Sequence, residues 1–283
     1  MPSFRYVVAD VFTDAPLKGN ALAVFTDARD IPDELLQPLA REMNFSETVF
    51  VYPPEADGHA RLRIFTPTVE LQFAGHPILG TAFVLAAPLQ LGELRLEAAA
   101  GTIPVKVERD ETGRIVFGRM EQPLPSVEPY EDGAELLDAL GVERSTLPIE
   151  VYDNGIPHVY VTLGSEQEVA ALDPDLSRLA ELSDVLGFNT IAGSGSKWKT
   201  RMFAPAGGVP EDPATGSAAG PLAFHLARHG RIAFGDEIEI SQGVEINRPS
   251  TLYARVDGSP ERLERVEVSG SAVTVARGEF RLP

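Results

Sequence analysis

Two turns of the chain set glycine and a polar side chain at the mouth of an apolar stretch, and both could hold a negatively charged group. One is Phe73-Ala-Gly-His-Pro77 and the other Glu211-Asp-Pro-Ala-Thr-Gly-Ser217. If those stretches are helical, their first turns leave backbone N–H groups without intrahelical partners and carry partial positive charge. Glycine lets another group come close to that backbone, so a carboxylate or a developing oxyanion has somewhere to sit. Pro77 suits the first helical position with His76 as the cap, and Ser217 suits the cap of the second helix. Capping alone would account for Ser217. It accounts less well for His76, because histidine is a poor cap.

Glu47 is the third candidate. Asn44-Phe-Ser-Glu-Thr-Val-Phe-Val51 reads as a strand, and alternation places Phe45, Glu47, Val49 and Val51 on one face. A carboxylate on an apolar face is costly to bury unless paired, hydrogen-bonded or protonated, and burial would raise its pKa toward the working range of a general acid or base. The alternative is an exposed carboxylate near the strand's end.

Other polar groups point to chemistry less strongly. His225 and His229 are spaced as a helical metal pair would be, but no third ligand stands nearby, and His229 before Gly230 fits a last helical turn. Gly193-Ser-Gly-Ser-Lys197 lacks the G-x-x-x-x-G-K-[ST] spacing of a phosphate loop and reads as a flexible turn. Trp198 with Lys197, Lys199 and Arg201 could line an acidic-substrate entrance, though an ordinary solvated loop is the simpler reading.

Composition narrows the choices. The 283 residues include 24 Lys and Arg against 42 Asp and Glu, a formal charge of −18, and no cysteine. That removes disulfides, cysteine-ligated metal and thiol nucleophiles. The acidic balance argues against nucleic acid and anionic membrane. The start, Met1-Pro2-Ser3-Phe4, shows no secretory pattern, and the apolar run Ile78–Leu89 is broken and too short to span a bilayer. The expectation is a cytoplasmic protein with no membrane partner.

The elements that must position these groups recur. Arg63-Ile-Phe-Thr-Pro67, Gly75-His76 and Thr81-Ala-Phe-Val-Leu85 are echoed by Arg201-Met-Phe-Ala-Pro205, Gly216-Ser217 and Leu222-Ala-Phe-His-Leu226. Upstream, Gly19 to Thr26 lies over Gly155 to Thr162, and Ile31-Pro-Asp33 echoes Asp173-Pro-Asp175. Four matches in one order imply duplication. Tyr6–Phe12 and Ala21–Phe25 have strand composition, and Pro32–Met43 has helical spacing. Ile78–Ala87 and Ala218–Ala227 are apolar nearly all round, so each must be a helix surrounded by other elements. The expected fold is α+β: two pseudo-symmetric halves, each a mostly antiparallel sheet or barrel around a central apolar helix. The prolines in Glu121-Gln-Pro-Leu-Pro-Ser126 mark the join. The halves are expected at 1–122 and 123–271, with a strand from 272–283 completing the first.

Phe65-Thr-Pro67 with Glu70, Ala74-Gly-His-Pro77, Ser46-Glu-Thr48 and Glu211-Asp-Pro-Ala-Thr-Gly-Ser217 resemble the signature of the phenazine-biosynthesis PhzF-like proteins. So do Asp10-Val-Phe-Thr-Asp14 with Gly19-Asn20, and Gln242-Gly243 with Arg248-Pro-Ser250. The chain departs from the family where Ala21 replaces a common proline and Asn247 a common glycine. The resemblance implies a diaminopimelate-epimerase-like fold with the site in the cleft between two halves. It also implies a homodimer and cofactor-free, metal-free isomerisation of a small carboxylate-bearing metabolite, such as the cyclohexadiene amino acid dihydro-hydroxyanthranilate. Glu47 falls on the family's acid/base residue, and His76 and Asp212 on the residues that assist it. Gly75, Gly216, Ser217, Ser46 and Asn20 fall on substrate-binding positions. The two-thiol chemistry of related epimerases is closed to a chain without cysteine. A nicotinamide or flavin enzyme would need a G-x-G-x-x-G turn that is missing. A non-catalytic carboxylate-binding protein on the same scaffold is the competing reading.

Overall fold

A computed structural model describes residues 2–182 and 187–282. The chain divides into two compact units, Met1–Glu121 with Ser269–Pro283, and Gln122–Val268. Each is a sheet-rich α+β unit.

In the first unit, β1 (Ser3–Val11) pairs antiparallel with β2 (Asn20–Phe25), and β2 lies parallel to β3 (Glu47–Tyr52). A parallel neighbour requires a crossover, and α1 (Asp33–Met43) supplies it. Its Leu36 and Leu39 pack with Phe25 and Phe50, whose rings stack 4.9 Å apart. Beyond β3 come β4 (Ala60–Phe65), with the short β5 (Glu70–Leu71) against it, then α2 (Gly75–Leu89) and β6 (Glu93–Ala98), parallel to β4. β7 (Gly101–Arg109) and β8 (Ile115–Gln122) continue as an antiparallel meander. The C-terminal strand Ala272–Arg281 pairs along the whole of β1, from Ser3 opposite Arg281 to Val11 opposite Ala272. Pro283, the last residue of the expected strand, lies outside the described residues.

The second unit repeats this order. It contains β9 (Ser126–Pro129), α3 (Gly133–Leu140), β10 (Glu150–Asp153), β11 (Pro157–Thr162), α4 (Glu166–Ala170), α5 (Leu176–Glu181), β12 (Gly187–Ser194) and β13 (Lys197–Ala204). β14 (Val209–Asp212), α6 (Gly216–Arg228), β15 (Glu237–Gln242), β16 (Ser250–Gly258) and β17 (Leu263–Gly270) follow. β9, β10 and β11 pair antiparallel, β11 and β12 are parallel, β12 and β13 antiparallel, and β13 and β15 parallel. The two parallel pairs thus fall where they fall in the first unit, with α4 and α5 standing for α1 and α6 standing for α2. This is the duplicated α+β architecture that the sequence repeat implies.

The two apolar helices are buried as their composition demands, twelve of the thirteen residues of α6 and ten of the fifteen of α2. Close packing uses glycine in both. A Cβ on Gly80 would come within 2.6 Å of Leu22 and Val11 side chains, and one on Gly220 within 2.4 Å of Val266. Among the described residues no helix is long and apolar enough to cross a membrane.

Three local expectations need correction. α2 begins at Gly75 with Ala74 in the cap position, so His76 is its second residue and Pro77 its third. α6 likewise begins at Gly216 after Thr215, so Ser217 is not its cap. Neither helix carries a side-chain cap, because glycine opens each and the Thr215 hydroxyl is turned to Asp212 instead. β3 starts only at Glu47, since Asn44 adopts the left-handed conformation that ends α1. Its residues 48–51 are buried on both faces rather than alternating, as befits a strand with a parallel neighbour.

Candidate active site

The loop before β2 is tied down first. The Leu17 N–H donates to Asp10 Oδ2 at 2.7 Å, and Gly19, at φ +65°, passes so close to the Val11 carbonyl that a Cβ would lie 2.3 Å from its oxygen. This fixes Asn20 as the first, buried residue of β2. Its Nδ2 lies 3.2 Å from Nδ1 of His76. An amide nitrogen can only donate, so Nδ1 accepts and the imidazole carries its proton on Nε2. That Nε2 lies 3.4 Å from Oε2 of Glu47, whose side chain keeps 14% exposure. Glu47 is therefore neither sunk in the core nor on the open surface. Burial pushes the His76 pKa down to about 3, so the ring is neutral at physiological pH. The first unit thus brings Asn20, His76 and Glu47 into one chain of polar contacts. Ser46, half-buried, precedes Glu47, and Gly75 opens α2 beneath His76.

In the second unit Asp212 ends β14 and is buried. Thr215 Oγ1 donates to its Oδ2 at 2.7 Å. Gln242, the last residue of β15, clasps the same turn. Its Nε2 donates to the Asp212 carbonyl at 2.8 Å and to Thr215 Oγ1 at 2.9 Å, while its Oε1 accepts from the Thr215 N–H at 3.0 Å. Gly243, at φ +75°, lets the turn sit against it; a Cβ there would lie 2.5 Å from the Pro213 carbonyl oxygen. The opening turn of α6 is held as firmly. Gln122 Nε2 donates to the Gly216 carbonyl, Asn154 Nδ2 to the Ser217 carbonyl and the Tyr160 hydroxyl to the Ala218 carbonyl, at 2.8, 2.9 and 2.6 Å. The Ser217 hydroxyl meets Nε2 of the buried His158 at 3.0 Å. Asp212, Gly216 and Ser217 are thus all fixed on one rigid turn.

Residues 9–278 match the phenazine biosynthesis-like family, PhzC–PhzF. The chain belongs to this family. Over 278 residues it is 54% identical to the trans-2,3-dihydro-3-hydroxyanthranilate isomerase of Pseudomonas aeruginosa, covering 98% of this chain and 99% of that one. It is 36% identical over 292 residues to an uncharacterized isomerase of Deinococcus radiodurans, covering 98% and 94%. Its fold is similar to that of the PhzF-family phenazine biosynthesis protein of Bacillus anthracis, with a TM-score of 0.84 at 27% identity and full coverage of both chains. A hydroxyproline epimerase from Agrobacterium vitis shares the fold at a TM-score of 0.66 and 12% identity, covering 99% and 91%. The chain is accordingly a PhzF-like isomerase acting on a small molecule.

One departure from the family pattern has a structural reason. Asn247, where glycine is common, sits at φ +59°, and asparagine tolerates that left-handed conformation better than other side chains do.

Two expectations about other polar groups are overturned. Lys199 and Arg201 lie within β13 rather than in a solvated loop, paired with Glu245 at 2.7 Å and Glu211 at 2.8 Å, and Trp198 beside them is buried. His225 and His229 do have a third group beside them, Glu150 of β10. Burial alone would raise the Glu150 carboxyl, but hydrogen bonds from His225, Tyr152 and His229 outweigh it and hold the group well below its ordinary value. The carboxylate accepts from the Tyr152 hydroxyl at 2.7 Å, meets His229 Nε2 at 2.8 Å and pairs with Arg228 at 3.3 Å. The cluster ties the end of α6 to the sheet.

Proposed function

We propose that the chain is a trans-2,3-dihydro-3-hydroxyanthranilate isomerase that works by acid/base proton transfer through Glu47, without a cofactor. The observation that carries this reading is the Glu47 carboxylate beside the neutral Nε2–H of His76, at the start of a buried helix. A cationic partner would make the carboxylate a weak base, whereas a neutral neighbour leaves it basic. Glu47 takes a proton from one ring carbon and, now a carboxylic acid, returns it at another, so no atom is gained or lost. The backbone N–H groups at the start of α2, with the partial positive charge of a helix N-terminus, favour the charge that develops as the C–H bond breaks.

Near-complete coverage and 54% identity to the P. aeruginosa enzyme support this substrate over other small carboxylates. The family resemblance supports roles for Asp212 in assisting catalysis and for Gly75, Gly216, Ser217, Ser46 and Asn20 in binding substrate. It also supports a homodimer, and the absence of cysteine fits a cytoplasmic setting.

The test is turnover of trans-2,3-dihydro-3-hydroxyanthranilate in deuterated water. The wild-type chain should convert it, with Glu47→Gln slower by about 10²–10⁴-fold at unchanged fold. Full activity in Glu47→Gln would remove the proton-transfer role. A wild-type chain that binds the compound but neither converts it nor exchanges its C–H protons would be a binding protein.

A further inference from the structure

Ser217 and His158 have the look of a nucleophile and its base, yet their surroundings give the pair the opposite polarity. His158 lies on β11, opposite Gly187 of the parallel strand β12, and both its ring and Ser217 are buried. Its Nε2 is 3.0 Å from the Ser217 Oγ. Its Nδ1 is buried with no hydrogen-bond partner among the described residues, and faces Gly187 so closely that a Cβ there would lie 2.6 Å away. In a nucleophilic pair the distal nitrogen carries the proton and donates it to an orienting group, leaving Nε2 free to accept from the hydroxyl. Here a proton on Nδ1 would be a buried donor with no acceptor, which native structures almost never tolerate.

The proton therefore belongs on Nε2, which donates to Ser217 Oγ. With that bond made, the serine's own hydrogen must point elsewhere, and the hydroxyl is presented as a donor. We propose that His158 is a positioning residue that fixes the Ser217 hydroxyl as a hydrogen-bond donor to an acceptor oxygen of the substrate, such as a carboxylate oxygen. This rests on the reading of Ser217 as a substrate-binding residue. Several features keep the geometry fixed. Asn154 holds the Ser217 carbonyl, Tyr160 the next one, and Gly187 leaves room for the ring. Burial also keeps the imidazole neutral, with a pKa near 3, so Nε2–H is retained as the donor across the physiological range and Nδ1 stays unprotonated.

The experiment has two arms. Long-range ¹H–¹⁵N correlation spectra of the wild-type chain should show the His158 ring as the Nε2–H tautomer, unchanged from pH 5 to 8. An Nδ1–H tautomer, or a ring that titrates in that range, would overturn the assignment whatever the substrate proves to be. The second arm is kinetic, with trans-2,3-dihydro-3-hydroxyanthranilate. His158→Leu should raise KM about tenfold, the scale of one hydrogen bond to a charged group, with kcat changed much less. His158→Gln, whose amide nitrogen can stand where Nε2 does, should recover most of that loss. His158→Leu should add nothing to Ser217→Ala, because both remove one interaction. Additive losses, or no rescue by glutamine, would leave His158 a packing residue only. If the compound is not a substrate at all, the spectra still decide the tautomer, so failure of the functional reading and failure of this one are told apart.

Discussion

The starts of α2 and α6 occupy the same place in two copies of one fold, and they have been equipped differently. In the first copy a histidine is the second residue of the helix and a carboxylate opens the strand below it, at the position paired with Leu22. In the second copy a serine takes the histidine's place, Gly187 takes the carboxylate's place, and a histidine stands at the position corresponding to Leu22. Both imidazoles are buried and neutral, and both carry the proton on Nε2. In the first copy that proton faces a base, and in the second it faces a hydroxyl. Duplication supplied two helix mouths; in one the histidine sits beside a carboxylate, and in the other beside a hydroxyl.

The largest effect expected from breaking this asymmetry is at Glu47 and Gly187. Glu47→Ala removes the carboxylate beside His76 and should lower turnover about 10²–10⁴-fold while leaving the denaturation midpoint nearly unchanged, because the side chain is part-exposed. Gly187→Ala should do the reverse. Its Cβ would fall 2.6 Å from both His158 Nδ1 and Met202 Cε, so overpacking should cost about 1–3 kcal/mol of stability, read from denaturant titration. If Gly187→Ala were neutral for stability, the crowding that positions His158 would be disproved.

The scaffold was legible in the sequence where composition acts alone. Ile78–Ala87 and Ala218–Ala227 have no polar face, so burial was the sole outcome open to them, and the repeat around them showed which elements of the two halves correspond. The first unit's polar chain was half legible, because Glu47 and His76 stand out as a carboxylate on an apolar strand and a poor cap in a glycine turn. The helix starts were placed two residues late because capping rules expect a side chain to bond back, and here glycine opens each helix and Thr215 bonds to Asp212. Asn154, Tyr160 and His158 escaped notice for another reason. Asn154 stands just before β11 and Tyr160 and His158 on it, far in sequence from α6, and only the order of strands in the sheet brings them to its first turn. The partner of His225 and His229 was missed likewise, since Glu150 is on a strand far upstream of α6 and no local spacing can announce it.

A middle-sized effect separates anchoring from chemistry in the second copy. Gln242→Ala deletes three hydrogen bonds to the Asp212–Thr215 turn and leaves buried partners unsatisfied, which should cost about 1–3 kcal/mol. If the turn serves recognition, KM should rise more than kcat falls, whereas the Glu47 variants should show the opposite split. Equal losses in both parameters for both variants would mean that the two helix mouths are not specialised as the comparison holds.

The smallest effect, spread over pH, tests what the two mouths share. His76 and His158 each have a folded pKa of about 3 against an ordinary value of 6.5, because burial disfavours the cation. Between those values the unfolded chain binds protons that the folded chain refuses, so stability falls as pH falls below 6.5 and is unaffected above it. Each ring should contribute a slope of about 1.4 kcal/mol per pH unit, which amounts to about 2 kcal/mol at pH 5. His225, also shifted down by burial, acts in the same direction. Urea titrations at pH 8 and pH 5 should show the loss, and His158→Gln should return its share of it. Activity corrected for unfolding should carry no inflection from an imidazole between pH 5 and 8, because neither ring titrates there. An inflection near 6.5 that vanished in His76→Gln would mean that the helix histidine is charged in part of that range, and the carboxylate beside it would then face a cation rather than a neutral N–H.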